Sequence, residues 1–171
     1  MNLRSTLLAL GMLVGIGGCQ VHPGQYVIIR VANADLQRSD SCYFDNMVPD
    51  SIRDDRTDFR TGSSLAVFAA DSETYFIEYD FNGTPVSIEG TRDGGDYSFA
   101  GEDVNVEQEY TVTQIVEVDM TIKNKTVIGT TVATRQCSGN GCEGASEVPS
   151  CVETIDFVGT IVSDVELEHG V

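Results

Sequence analysis

The chain has 171 residues, 27 of them acidic and 10 basic, for a formal net charge of −17 at neutral pH. That balance works against the electrostatic attraction on which nucleic-acid binding rests, so no nucleic-acid partner is expected. A hydrophobic share of 41% is too high for a disordered acidic tail, and the length suits one domain.

The first element is a leader, residues 1–18. Arg4 gives it a positive start, Leu7 to Ile16 form a short apolar run, and small residues follow. The run is too short to span a bilayer as a helix and has the form of an export signal. Its end, Ile16-Gly17-Gly18-Cys19, resembles the lipobox of bacterial lipoproteins, an aliphatic residue and two small ones before the cysteine that is lipidated. The resemblance covers the leader alone. It implies cleavage before Cys19, acyl chains on that residue, and anchoring through them, since two or more chains hold a protein stably on a membrane. In many Gram-negative bacteria an Asp after the cysteine retains a lipoprotein in the inner membrane. Gln20 stands there instead, which implies the outer membrane, on its periplasmic or its cell-surface face.

Residues 19–25 then read as the lipidated cysteine and a tether, and residues 26–171 as a single β-domain. Tyr26 to Val31 is a compact β-branched run, a first strand. Residues 33–64 read as a long polar connection in which Asp35, Asp40, Asp45, Asp50, Asp54, Asp55 and Asp58 are scattered. A short helical turn or strand is expected around Cys42–Met47. Leu65–Ala70 fits either a strand or one helical turn. Thr74–Phe81 and Pro85–Thr91 flank Asn82-Gly83, a strong hairpin signal because both turn positions favour positive φ. That turn sets Tyr79 opposite Val86, Ile77 opposite Ile88 and Tyr75 opposite Gly90. Gly94-Gly95 makes a second tight turn and places Phe99 opposite Gly90, where its ring can cover bare backbone. Both turns nominate the same face for burial.

Val112, Val116, Val118, Met120 and Ile122 alternate with polar residues in a long half-buried strand. Gln114 and Ile115 interrupt the alternation, which suggests a bulge. A turn at Asn124-Lys125 pairs Ile122 with Val127 and Met120 with Gly129; a three-residue turn would bury Ile128 and Val132 instead. Cys151–Ser163 is the last strand. About seven or eight strands in an all-β, antiparallel up-and-down meander fit a small barrel or a two-sheet sandwich. The barrel is preferred, because closing the first strand on the last removes exposed edges. Its shape is similar to that of lipocalin-like or avidin-like barrels, although no motif of either family is present.

With Cys19 lipidated, Cys42, Cys137, Cys142 and Cys151 form an even set, which in an exported chain predicts two disulfides. If Cys137 faces Cys151 across the last hairpin, Ala133 meets Ile155 and Val127 meets Ile161. This favours Cys137–Cys151 with Cys42–Cys142. The alternative is a local Cys137–Cys142 loop with Cys42–Cys151.

The chemistry is sparse. The two histidines, His22 and His169, lie near the ends of the exported body, and no nucleophile elbow, phosphate loop or zinc helix is present. No enzyme and no cofactor are expected. Asp93 and Asp96, neighbours across the second turn, are weak calcium candidates. Tyr75, Tyr79 and Phe99 are candidates to line a ligand cavity if the barrel is wide. The sequence therefore predicts a non-catalytic lipoprotein anchored in the outer membrane, a structural or interaction module that meets an envelope protein. A small-molecule or calcium-binding barrel is the alternative.

Overall fold

A computed structural model describes residues 21–42, 61–81, 84–142 and 150–162. They form eight strands: β1 (Tyr26–Arg38), β2 (Ser64–Ala69), β3 (Tyr75–Phe81), β4 (Thr84–Asp93), β5 (Asp96–Val106), β6 (Thr111–Lys123), β7 (Thr126–Ser138) and β8 (Ser150–Ile161). Each pairs antiparallel with its chain neighbours, and β1 pairs with β8, so the meander closes into a barrel rather than a sandwich.

The registers expected from the tight turns are the registers found. Tyr75 faces Gly90, Ile77 faces Ile88, Tyr79 faces Val86 and Phe99 faces Gly90. Ile122 faces Val127 and Met120 faces Gly129. Asn124 adopts φ 57°, the left-handed conformation a two-residue turn demands, and Ile128 is 61% exposed, so the three-residue turn is not used. Tyr75, Ile77, Tyr97, Phe99, Val118, Met120, Ile155 and Phe157 point inward to one core.

Four expectations change. The first strand does not stop at Val31 but runs to Arg38, which shortens the connection expected over 33–64. A bulge between Val31 and Asn33 resets the phase: Ile29 and Val31 point inward before it, Ala34 and Leu36 after it. The broken alternation makes a strand look like a polar loop. Second, β6 carries no bulge at Gln114 or Ile115, since both of its ladders are continuous there. Third, a 3-10 turn stands at Asp40–Cys42, where the expected helical turn or strand begins only at Cys42, and residues 43–47 lie outside the described residues; of the two alternatives for Leu65–Ala70 the strand is found, over Ser64–Ala69. Fourth, the disulfides are Cys42–Cys151 and Cys137–Cys142, not the favoured pairing. Arg135, not Cys137, faces Cys151. The register is shifted by two residues, which leaves the buried face unchanged and so gives no hydrophobic signal.

Candidate functional site

The two ends of the barrel differ. At one end the chain closes its own floor. Val21 is buried, Gly24 N donates to Ala69 O at 2.9 Å, and Pro23 bridges Ala69. Residues 21–25 are thus packed against the barrel instead of forming a loose tether. Tyr75 and Tyr97 meet edge to face, with ring centroids 5.6 Å apart. The Arg92 guanidinium lies 5.8 Å from one centroid and 5.6 Å from the other, and its Nη1 donates to Tyr75 Oη. Such stacking places a cation against aromatic faces while its head group stays hydrated. Burial pushes the Tyr97 phenol above its usual value of 10.0; the Val21 N–H and the Arg92 charge act the other way.

The middle of the barrel is filled. Tyr75 is 4% and Phe99 2% exposed, and the Phe99 ring covers Gly90 as the sequence predicts. Phe157 lies over Gly129 in the same manner. Large rings beside missing side chains fill the barrel at these positions. Tyr75 and Phe99 therefore stand in the core. Tyr79 holds the register position opposite Val86, and its side chain lies outside the described residues. One polar group is buried among these residues: Thr131 is 2% exposed and its Oγ1 has no hydrogen-bond partner among the described residues.

Toward the other end the inward rank changes character. Val116, Ala133, Gln114, Arg135 and Glu153 continue the inward alternation, yet each is only half-buried. Arg38 pairs with Glu153 there through Nε and Oε1. Water thus reaches inward-facing side chains, and among the described residues this end is open. Cys42–Cys151 ties the 3-10 turn to β8 at the rim, and Ser39 N donates to Val152 O at 2.9 Å. Cys137–Cys142 closes a small loop whose Gly141 N donates to Glu109 O at 3.1 Å, joining the β7 end to the β5–β6 connection.

Asp93 and Asp96 face each other at the second turn, as expected. Asp96 Oδ1 accepts the Thr121 hydroxyl at 2.5 Å. Among the described residues no group of three or more His, Cys, Asp or Glu side chains is placed to hold a metal ion. Cys19 lies outside the described residues. The polar inward rank of Arg38, Gln114, Arg135 and Glu153 is not evident from the sequence pattern. Its one signal there is Gln114, a polar residue on an otherwise apolar stripe, which alternation alone does not distinguish from a bulge. Comparison with protein-family models, with curated proteins and with solved structures finds no match.

Proposed function

We propose that the chain is an outer-membrane-anchored lipoprotein whose barrel serves as a non-catalytic interaction module of the cell envelope. The observation that carries this reading is the filled interior: Tyr75 and Phe99, which a ligand barrel would use as cavity wall, are packed against neighbouring strands. Recognition is then left to outer surfaces and the open end. The anchoring half rests on the lipobox resemblance at Cys19. It is supported by the course of the chain, because Val21 is locked into the barrel floor and only one residue separates it from Cys19. Two residues of chain reach at most about 7 Å. Lipid on Cys19 would hold the closed end at the membrane and direct the open end away from it.

A small-ligand reading is favoured by a different observation, the unpartnered Thr131 hydroxyl below the half-buried rank of Val116, Ala133 and Gln114. Native and denaturing mass spectrometry of the full chain from its lipidating host distinguishes the two. A native mass equal to the lipidated polypeptide supports the interaction module. A non-covalent small molecule released on denaturation overturns it in favour of the ligand barrel. Cys19→Ser is expected to abolish the covalent acyl mass; a retained acyl mass refutes the anchor at this residue.

A further inference from the structure

The barrel wall is not sealed along its whole height. β5 pairs with β6 from Asp96 to Val106. It pairs with β4 only where Gly90–Asp93 meets Asp96–Phe99. β4 in turn stays paired with β3 up to Thr84. The pairing ends at Gly90 and Phe99, and Ile88 still packs beside Gly101; beyond them no pairing joins the two strands, which leaves a wedge between Thr84–Ser87 and Glu102–Val106.

Antiparallel alternation decides which backbone groups face that wedge. The two-residue turn at Gly94-Gly95 makes Asp93 and Asp96 a hydrogen-bonded pair, so even-numbered residues of β5 address β4 and odd-numbered ones address β6. The Ala100 N–H closes the last rung of the ladder on Glu89 C=O, flanking the Gly90–Phe99 pair; the N–H and C=O groups of Glu102, Val104 and Val106 face the wedge, and among the described residues no strand pairs with them. By the same alternation Pro85 and Ser87 line the opposite lip, where Pro85 has no N–H to give. The β4 lip is blunted and the β5 lip is not. The side chains agree: Val104 is 50% and Val106 70% exposed, two of the most exposed large apolar residues described. A free edge flanked by exposed valines is a template for strand addition, which proteins normally protect with Lys, Pro or a covering element.

Charge selects the occupant. From Ala100 to Tyr110 the chain carries Glu102, Asp103, Glu107 and Glu109 and no Lys or Arg. Glu117 faces Ala100 from β6, and Glu89 stands exposed on β4. A second copy would bring carboxylates against carboxylates in a chain of net charge −17. We propose that the Glu102–Val106 edge of β5 docks an extended, lysine- or arginine-bearing segment of a partner protein as an added strand, its backbone on the free N–H and C=O groups and its cations on the surrounding carboxylates. The inference rests on the interaction-module reading and names the class of partner. Held by its closed end, the barrel would present this edge on the half farther from the membrane.

The test uses the full lipidated chain in detergent micelles and a short synthetic peptide of alternating Lys and Val. Hydrogen exchange is expected to show the Glu102, Val104 and Val106 amides unprotected in the free protein and at least about tenfold slower with peptide bound. Methylating the alternate peptide nitrogens that face β5 should weaken binding by about tenfold or more, because each removes a ladder hydrogen bond. A peptide of alternating Glu and Val should fail to bind. Val104→Pro, which removes an N–H that faces away from the β6 partner Thr113 and that no described strand pairs, should lose the peptide without a change in thermal unfolding; Glu102→Lys should weaken the Lys peptide while leaving the edge amides free. Protection of these amides without peptide overturns the proposal: if it rises with protein concentration a second copy covers the edge, and if it does not the chain covers itself. Equal binding of methylated and unmethylated peptide overturns strand addition, and equal binding of the Glu peptide overturns selection by charge. No peptide binding beside a clean native mass overturns this site while the interaction module stands; a released small molecule in that mass overturns the module whatever the peptide does.

Discussion

Gly90→Ala tests how the core is built. A Cβ at position 90 would lie 2.2 Å from Ser98 O, 2.4 Å from Phe99 Cδ1 and 2.8 Å from Phe99 Cγ. Non-bonded carbons rest about 3.5–4.0 Å apart, so more than an ångström of overlap must be relieved. Neither neighbour moves freely. Phe99 is enclosed in the core with its ring stacked 6.4 Å from Tyr97, and Ser98 pairs with Thr91 in the ladder. Over-packing of this kind costs about 1–3 kcal/mol, and contact with backbone places it near the upper end. Ala restricts the unfolded chain and returns roughly 0.5–1 kcal/mol. A net loss of about 2 kcal/mol is expected, or a fall in Tm of about 4–8 °C for a chain of this size. The assay is urea unfolding at 25 °C with the disulfides intact, beside Gly94→Ala. Gly94 has nothing within 4 Å of its would-be Cβ but φ +61°, so it measures conformational strain without crowding. Phe99→Leu in the Gly90→Ala background should relieve the ring overlap but not the carbonyl one, making the double mutant better than additive by about 1 kcal/mol. A loss below about 0.5 kcal/mol for Gly90→Ala, or strict additivity with Phe99→Leu, would refute the ring-over-glycine account.

Three further outcomes follow from the same structure. Cys42–Cys151 spans a sequence separation of 109 and Cys137–Cys142 one of 5; by loop-closure entropy, removing the first costs about 4.7 kcal/mol and the second roughly half as much. Denaturant midpoints of the two double-serine variants check this, and equal losses would contradict it. Thr131→Val replaces a buried, unpartnered hydroxyl with an isosteric methyl and is expected to stabilise by about 1 kcal/mol; a loss would mean that the hydroxyl is hydrogen-bonded in solution. Asp71 accepts the Glu73 and Thr74 N–H groups, which hold its carboxyl below the usual 3.8, against a slight opposing desolvation. A folded-state value below the unfolded one stabilises above the unfolded pKa, and the contribution fades as pH falls through the folded one. Carbon-detected NMR titration should find Asp71 below 3.8, and in Asp71→Asn the acid-side loss of stability should shrink; a carboxyl titrating at or above 3.8 contradicts the turn.

What the sequence determined by itself was local. Asn82-Gly83, Gly94-Gly95 and Asn124-Lys125 read in the sequence as short turns with few backbone solutions, and a two-residue turn sets every cross-strand pair that follows it. Hence Tyr75–Gly90, Phe99–Gly90 and Ile122–Val127 follow from the order of residues alone. Alternation then names the buried face, and an even set of four cysteines beyond Cys19, on the expectation of export, predicts two bonds. Where no tight turn sets the phase, tertiary structure decided. The β1 bulge breaks the alternation that would have marked Ala34 and Leu36 as strand. The β7–β8 connection is too long to define a register, so Cys151 lies two residues from its expected place and takes Cys42 as partner. Gln114 looks like a defect because alternation records a side chain's direction, not the height at which the barrel opens to water. The unpaired edge of β5 is equally hidden. Its residues read as an ordinary strand end, and only the end of the β4–β5 pairing leaves Val104 and Val106 beside backbone groups that no described strand pairs.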